Sequence, residues 1–548
     1  MAGVHGREVQ AEDVRKLSFE VKDKDLAGRI GKLSLRSGIV ETPAFFPVVH
    51  PFKQPEDLPI EKIVEAGFKQ VITNAYIIKR KLGGSVAKVH EVLGFDGVVM
   101  TDSGAYQILV YGDERLSIDP LELVEYEEVL EPDIAVIVDI PTPDTATREE
   151  AEASARETLR RAYLSLDVVR RSSSKIMWVL PVQGGVHTDV LKWSAEESRK
   201  LSEFYGMYAV GSPVKALEKY DFKKVVDMVY TVKSSIPLDK PVHLFGGGHP
   251  LLIPIAVALG IDTFDSASYI LYAKDERYIY EHGTRKLSSL SYFPCNCPVC
   301  RKYEPRDLLE MGRSDRVRLL AEHNLNVIAR TIKEVKEAIK EGRLWELLER
   351  YAVSHPLTVD AFKRMIKYVQ WIEKLDSRFR GSGRGIFLVS RTSYYRPELV
   401  RHREFLKKYL NQVLQESTGR LVLIPGDLRD RPFIRSAIYG RVVEFAERNR
   451  MDLERCVRLV YTPFFDVLPI EISYTYPYSQ CEISSTASRE VAGKMFNVIR
   501  SLVSSYRGAI TIFTCEKYLW SRLETLRRVV CGVVDCSRVE FVEVCDEE

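Results

Sequence analysis

The chain has 548 residues, 45% hydrophobic and 28% charged, which is too many for one hydrophobic core and implies about two to four globular domains. Lysine and arginine total 79 against 77 acidic residues, so the formal charge of +2 excludes a strongly basic or acidic chain and leaves nucleic-acid binding to a local basic face. No uninterrupted apolar run is long enough to span a bilayer, and the opening MAGVHGREVQAEDVRK lacks the apolar core of a signal peptide. The nine cysteines, three of them in a metal-type cluster, fit a reducing cytoplasm better than a disulfide scaffold.

The first half repeats one theme: a short apolar, β-branched run ends in a polar residue, and a charged stretch of helical period follows. The runs are 70–73, 97–101, 133–138, 177–182, 207–210, 242–245 and 261–264, with amphipathic segments such as 148–171 and 190–204 between them. Such alternation implies parallel strands with helical crossovers, an α/β class. Seven or eight evenly spaced units favour a closed (β/α)8 TIM-like barrel over the alternative, an open doubly wound sheet.

Next comes Phe-Pro-Cys-Asn-Cys-Pro-Val-Cys, with Cys295, Cys297 and Cys300, and His323 follows after 22 intervening residues. Three thiolates this close do not pair off as disulfides; with one imidazole they make the four-coordinate set that zinc prefers. All four ligands are protein atoms, so one structural Zn2+ is expected and the chemistry lies elsewhere. The competing view is a trio of free cysteines beside a surface histidine.

From Arg316 to about Leu375 the sequence reads as helix, broken at Gly342 and Pro356, and Asp376–Gly385 reads as a linker rich in Gly, Ser and Arg. A separate, smaller α/β domain then follows, with strand candidates at 386–390, 421–424, 457–461, 509–513 and 539–544 and an acidic end. The expected organisation is a barrel over 1–350 carrying a zinc subdomain at about 290–325, a helical connection over 351–385, and a C-terminal domain over 386–548.

Barrel enzymes place their chemistry where strands end. The residues just past the apolar runs are Asp102, Asp139, Gln183, Gly211, Gly246 and Asp265. Two carboxylates flanking one centre can run a displacement at a sugar carbon, one as nucleophile and one as acid/base. A third carboxylate and an amide suit the edge of a purine. Each aspartate alone reads better as a helix cap, and together, with glycine-rich neighbours, they read better as a site. The glycine run Phe245–Pro250 lacks the ending of a P-loop and reads as a tight strand-to-helix turn, and His50, His187 and His249 are uninformative.

Asp102-Ser-Gly-Ala-Tyr-Gln107 closely resembles the signature of tRNA-guanine transglycosylases, and Thr263-Phe-Asp-Ser-Ala-Ser268 resembles that family's second aspartate motif. Val182-Gln-Gly-Gly185, Tyr208-Ala-Val-Gly211 and the cysteine cluster with its histidine are similar to its base-pocket segments and zinc site. The resemblance covers roughly 15–350, and Asp139-Ile-Pro-Thr and Ser-Ala-Ser-Tyr269 resemble the archaeal branch. It implies replacement of guanine 15 in the tRNA D-arm by 7-cyano-7-deazaguanine (preQ0), a step toward archaeosine, through a covalent aspartyl-ribose intermediate. It further implies Asp102 and Asp265 as catalytic, with the nucleophile placed at Asp265 and either assignment open. Ser103, Tyr106, Asp139, Gln183, Gly211 and Ser212 are implied as substrate-binding, Tyr106 by stacking on the base. Ser212 departs from a glycine common in the family.

The implied partners are tRNA, guanine and preQ0, in the cytoplasm and away from membranes, with room for a homodimer and for a separate PUA-type RNA-binding protein. Lys274, Arg277, Arg301 and Lys302 are candidate phosphate contacts. The C-terminal part weakly resembles a domain of archaeosine synthase around Ser390–Arg403, Leu468–Ile472 and Tyr476–Gln480, but the nearest counterpart of its Pro-Cys-Ser and Lys-Pro-Tyr-Ser motif, Pro425-Gly-Asp and Arg431-Pro-Phe433, lacks the cysteine and the lysine. The Arg-rich stretch 396–403 could touch phosphate or form a solvated helix face. Two other functions are an archaeosine synthase-like modifier, which the missing motif disfavours, and a non-catalytic tRNA-binding subunit, which predicts loss of the aspartate pair.

Overall fold

The computed structural model describes residues 16–83, 85, 87–105, 119–378, 385–416 and 419–545. It divides into two compact units, Met1–Lys340 with Arg350–Met365, and Glu341–Glu349 with Ile366–Glu548.

The first unit opens with an antiparallel sheet, β1 (Ser18–Asp25), β2 (Gly28–Ser34) and β3 (Ile39–Thr42). Eight parallel strands follow: β4 (Ala44–Pro47), β5 (Gln70–Asn74), β6 (Val98–Asp102), β7 (Ile134–Val136), β8 (Met177–Val182), β9 (Met207–Val210), β10 (Val242–Leu244) and β11 (Thr263–Ser266). Each pairs with its neighbour in chain order, β11 returns to β4, and Val48 just past β4 bridges Ile72 of β5, so the ring closes. The barrel is therefore (β/α)8, as expected. Seven of its strands fall on the predicted runs. The first, β4, was missed: Ala-Phe-Phe-Pro is short, bounded by prolines and without a β-branched residue.

Alternate residues of a strand face opposite sides. Phe46, Met100, Val136, Val179 and Ala209 share one buried cluster with Leu33, Leu35 and Val40, so the N-terminal sheet plugs the end where the strands begin. Two buried aspartates pin that end: Asp133 accepts from the Val99 amide at 2.9 Å, and Asp262 from the Val242 amide at 2.8 Å and from Arg29 Nε and Nη2, each at 2.7 Å.

The crossover helices start at clear signals. Before Arg148–Leu164, Thr147 Oγ1 accepts from the Glu150 amide while Glu150 Oε2 accepts from the Thr147 amide, a reciprocal cap. After β11 a ribbon of β12 (Arg277–Tyr280) and β13 (Gly283–Lys286) leads to the cysteine cluster and the 29-residue helix Arg313–Glu341. Shorter helices at Leu344–Ala352, Pro356–Ile366 and Val369–Leu375 break at the predicted Gly342 and Pro356.

The second unit is α/β. Its main sheet runs in the order β17 (Asp466–Pro469), β16 (Val457–Thr462), β15 (Leu421–Pro425), β19 (Ile510–Thr514), β20 (Val539–Glu543), with only β17 antiparallel. A parallel pair, β14 (Ile386–Leu388) and β18 (Cys481–Ile483), stands beside it. Strands β17 and β18 escaped prediction because each is too short, at 4 and 3 residues, to show a period. Two disulfides, Cys515–Cys545 and Cys531–Cys536, join four cysteines that composition suggested were free. The Arg-rich stretch is also not a free basic face. Arg396 is buried between Glu346 and Glu398, and Arg401 is paired with Glu373 and Asp376. A guanidinium taken out of water needs such carboxylates.

Candidate active site

The inward period of several strands runs straight into polar residues. Val98 and Met100 are followed by Asp102, Met177 and Val179 by Pro181 and Gln183, and Met207 and Ala209 by Gly211. On β10 and β11 the same facing places His243 and then Thr263 and Asp265, with His243 and Thr263 in register. Five of the eight barrel strands thus carry a polar residue or a glycine along the inward face toward the carboxyl end.

Asp102 ends β6 beside Asn74 of β5, whose Nδ2 lies 3.5 Å from Oδ2. Burial, then the charges of Asp139 and Asp265, push its carboxyl up to about 7, against opposing backbone N–H groups of Ser103 and Gly104. Three carboxyls therefore share one electrostatic neighbourhood. Behind it, Glu127 is buried and accepts from Thr101 Oγ1 at 2.7 Å; burial raises its carboxyl well above the usual range. Ser103 is buried next to Asp102. Tyr106 lies outside the described residues.

Asp139 and Gln183 form the second group. Gln183 Nε2 donates to Asp139 Oδ2 at 2.5 Å. Burial pushes the Asp139 carboxyl up to about 6 even though Gln183 and Arg161 act the other way. The amide is held at its other end too: Ser212 Oγ donates to Gln183 Oε1 at 2.8 Å while accepting from the Thr142 amide at 2.7 Å. Ser212 holds φ at +58°, a left-handed backbone uncommon for serine. Its hydroxyl thus has a task in this chain, fixing which way the Gln183 amide points. Gly211 is required by space: a Cβ there would lie 2.5 Å from the Gln183 amide carbon.

Asp265 is the third. Its Oδ1 accepts from the Gly246 amide at 2.9 Å and lies 3.0 Å from His243 Nε2. Gly246 has φ +68°, so the glycine turn predicted at 245–250 serves to aim an N–H at this carboxylate. The Asp265 side chain keeps 14% exposure, whereas His243 has none. His243, Thr142 and Glu127 were not foreseen as members of the site. A histidine inside an apolar strand, two residues before a conspicuous glycine run, was the available signal for the first.

The metal cluster is separate. The ligand atoms of Cys295, Cys297, Cys300 and His323 lie within 4.8 Å of one another and could hold a metal ion. His323 Nδ1 is 3.4 Å from Cys297 Sγ and 3.3 Å from Cys300 Sγ, and its Nε2 is 2.8 Å from the Ile279 carbonyl. That carbonyl takes the Nε2 proton and leaves Nδ1 free as a ligand. Tyr278 stacks on the imidazole at 3.7 Å, and Phe293 stacks on Tyr278 at 5.1 Å. The donor set suits zinc. Of the candidate phosphate contacts, Lys274 is bonded to Asp57 and Arg277 to Asp275, while Arg301 and Lys302 are exposed beside the cluster.

A profile of the family described as queuine tRNA-ribosyltransferase (TGT) matches residues 23–357. The chain belongs to that family. Among its relatives, the tRNA-guanine(15) transglycosylase of Sulfolobus acidocaldarius is 42% identical over 503 residues, 91% of this chain and 96% of that protein. The proteins of that name from Saccharolobus solfataricus and Aeropyrum pernix are each 44% identical, covering 91% and 94% of this chain and 97% and 98% of their own length. The queuine tRNA-ribosyltransferase match spans the barrel and the cysteine cluster, and the full-length relatives extend it over most of the second unit. No described helix is long and apolar enough to cross a membrane.

Proposed function

We propose that this chain exchanges guanine 15 of tRNA for preQ0 through a covalent aspartyl-ribose intermediate, in the cytoplasm and on the path to archaeosine. The family, and the name its relatives carry, support the reaction. The observation that carries the residue roles is the contrast between the two strand-end carboxyls. Asp265 has two donors on Oδ1 and suits an anion that attacks. Asp102, raised to about 7 by burial and by neighbouring carboxylates, suits a group that carries a proton near neutrality.

Asp265 Oδ2 attacks C1′ of the ribose, the C1′–N9 bond breaks, and its electron pair leaves with the guanine, which takes the proton of Asp102. The incoming base then attacks C1′ with its N9 lone pair and returns its proton to Asp102. The C1′–Oδ2 bond breaks, and Asp265 is again a carboxylate. Two displacements retain configuration, as in a retaining glycosidase.

Asp139 and Gln183 would read the purine edge, with Ser103, Tyr106, Gly211 and Ser212 around it. Cys295, Cys297, Cys300 and His323 would hold one zinc ion, closed by four protein ligands and so structural. The work is assigned to residues 1–350, and 386–548 to docking or scaffolding. Extruding the guanine from its stack costs roughly a few kcal/mol, which backbone contacts must offset.

The test is incubation with unmodified archaeal tRNA and radiolabelled guanine or preQ0, followed by mapping of the label. Label at position 15 in wild type and none with Asp265→Ala is expected. Full incorporation by Asp265→Ala overturns the nucleophile, and label elsewhere overturns the position.

A further inference from the structure

His243 lies wholly inside the barrel, with no exposed side-chain surface, and among the described residues its hydrogen bond to the candidate site is to Asp265. Its Nε2 is 3.0 Å from Asp265 Oδ1, and its Nδ1 is 2.9 Å from Thr263 Oγ1. A carboxylate oxygen accepts, so Nε2 carries the proton. Nδ1 then has a lone pair, and the Thr263 hydroxyl donates to it. The threonine thereby selects the tautomer that the aspartate needs. The ring is held from the sides as well, by Phe245 at 4.9 Å and Phe46 at 6.4 Å, both edge-to-face.

The Gly246 amide gives Oδ1 its second donor at 2.9 Å. Among the described residues, no hydrogen bond reaches Oδ2. Among the described residues the two carboxylate oxygens are thus unequal.

We infer that His243 is a positioning residue for both half-reactions: with Thr263 behind it and the Gly246 amide beside it, it fixes Asp265 so that Oδ2 alone faces C1′, and it then polarises the ester. This rests on Asp265 being the nucleophile. When Oδ2 bonds to C1′, Oδ1 becomes the carbonyl oxygen of the ester, and the Nε2–H and Gly246 N–H now point at it. In the second displacement the C1′–Oδ2 electron pair returns to the carboxylate and negative charge reappears on Oδ1. Donors already aimed there stabilise that transition state without reorganising, as in an oxyanion hole. Such a device explains why a histidine sits in an apolar strand behind the site.

The experiment compares wild type, His243→Leu, His243→Gln and Thr263→Val in single-turnover release of labelled guanine from tRNA and in insertion of labelled preQ0, with active sites counted by burst amplitude. Removing one such donor typically costs about 100-fold in rate. His243→Leu should therefore slow preQ0 insertion per active site by about that factor and slow guanine release by less, through loss of the Asp265 position alone, with the KM for tRNA within about threefold. His243→Gln, which keeps an amide N–H in reach, should recover at least about tenfold of the loss, and Thr263→Val should fall in between.

A merely structural role would lower the burst amplitude and leave the rate per active site alone, and that result overturns the inference. So does a folded His243→Gln as slow as His243→Leu. Where His243→Leu does not fold, His243→Gln and Thr263→Val decide: rates for Thr263→Val within about twofold of wild type sink the tautomer argument. If Asp265→Asn retains exchange, the nucleophile assignment itself has failed. A wild-type-like Asp265→Asn and a normal His243→Leu are thus different outcomes with different meanings.

Discussion

An aspartic acid raised to about 7 in the folded chain weakens the fold wherever it is made to ionise. The unfolded chain loses that proton near 3.9. Between the two values the native state holds a proton that the unfolded state has released, so stability falls as pH rises from about 4 and the loss is complete above about 7. Asp102→Asn cannot ionise. It should unfold at higher denaturant than wild type at pH 8, by an amount of order 1–3 kcal/mol, and show no gain at pH 4. Under the proposed mechanism it should also lose base exchange, because an amide cannot carry the proton. Urea titrations at the two pH values check the first expectation. Equal stabilities at pH 8 would show that Asp102 ionises there as easily as in the unfolded chain. The cost is local: Asp102 is buried at its strand end within the fields of Asp139 and Asp265, which resist its charge.

At the scale of elements, the sequence made the barrel legible where strands carry β-branched runs, as at Ile134–Val136 and Met177–Val182, and silent where they do not, as at Ala44–Pro47. Asp102 and Asp265 could be found because they end such runs. Thr142 could not, and His243 showed only as a histidine inside an apolar strand, because their roles are hydrogen bonds to residues distant in sequence, to Gln183 and Asp265. The cysteine cluster was legible because ligand chemistry is local in type even when the fourth ligand is remote. There a second expectation follows. His323 is buried in the helix Arg313–Glu341, Cys295, Cys297 and Cys300 sit before it, and Tyr278 of β12 stacks on the imidazole. A metal held there ties ribbon, loop and helix together. Cys297→Ser should lose the bound zinc, measured by mass spectrometry of metal content, and should expose β12, β13 and the start of that helix to faster hydrogen exchange while the barrel strands stay protected. Full zinc content with unchanged exchange would contradict a four-ligand structural site.

At the scale of the whole molecule, the cluster proposed to hold zinc and the disulfides are two kinds of clamp that lie in different units. The metal cluster belongs to the first, while Cys515–Cys545 and Cys531–Cys536 belong to the second. Each unit also has its own buried apolar cluster, around Phe46 and Met100 in one and around Leu423 and Ile512 in the other. Units with separate cores can unfold as separate cooperative steps. The Cys515–Cys545 bond spans 30 residues, holding the segment beyond β20 to the end of β19. A closed loop of that length restricts the unfolded chain by about 3–4 kcal/mol. Reductant should therefore lower the calorimetric transition of the second unit by several degrees and leave that of the first in place. A chelator that strips zinc should do the reverse. Limited proteolysis at each plateau, followed by mass spectrometry of the surviving fragment, assigns the transitions. If both treatments move the same transition, or if all unfolding is one step, the division of clamps between independent cores is wrong. If they move different ones, loss of base exchange should track the chelator-sensitive step, because Asp102, Asp139, Gln183 and Asp265 all stand on the barrel.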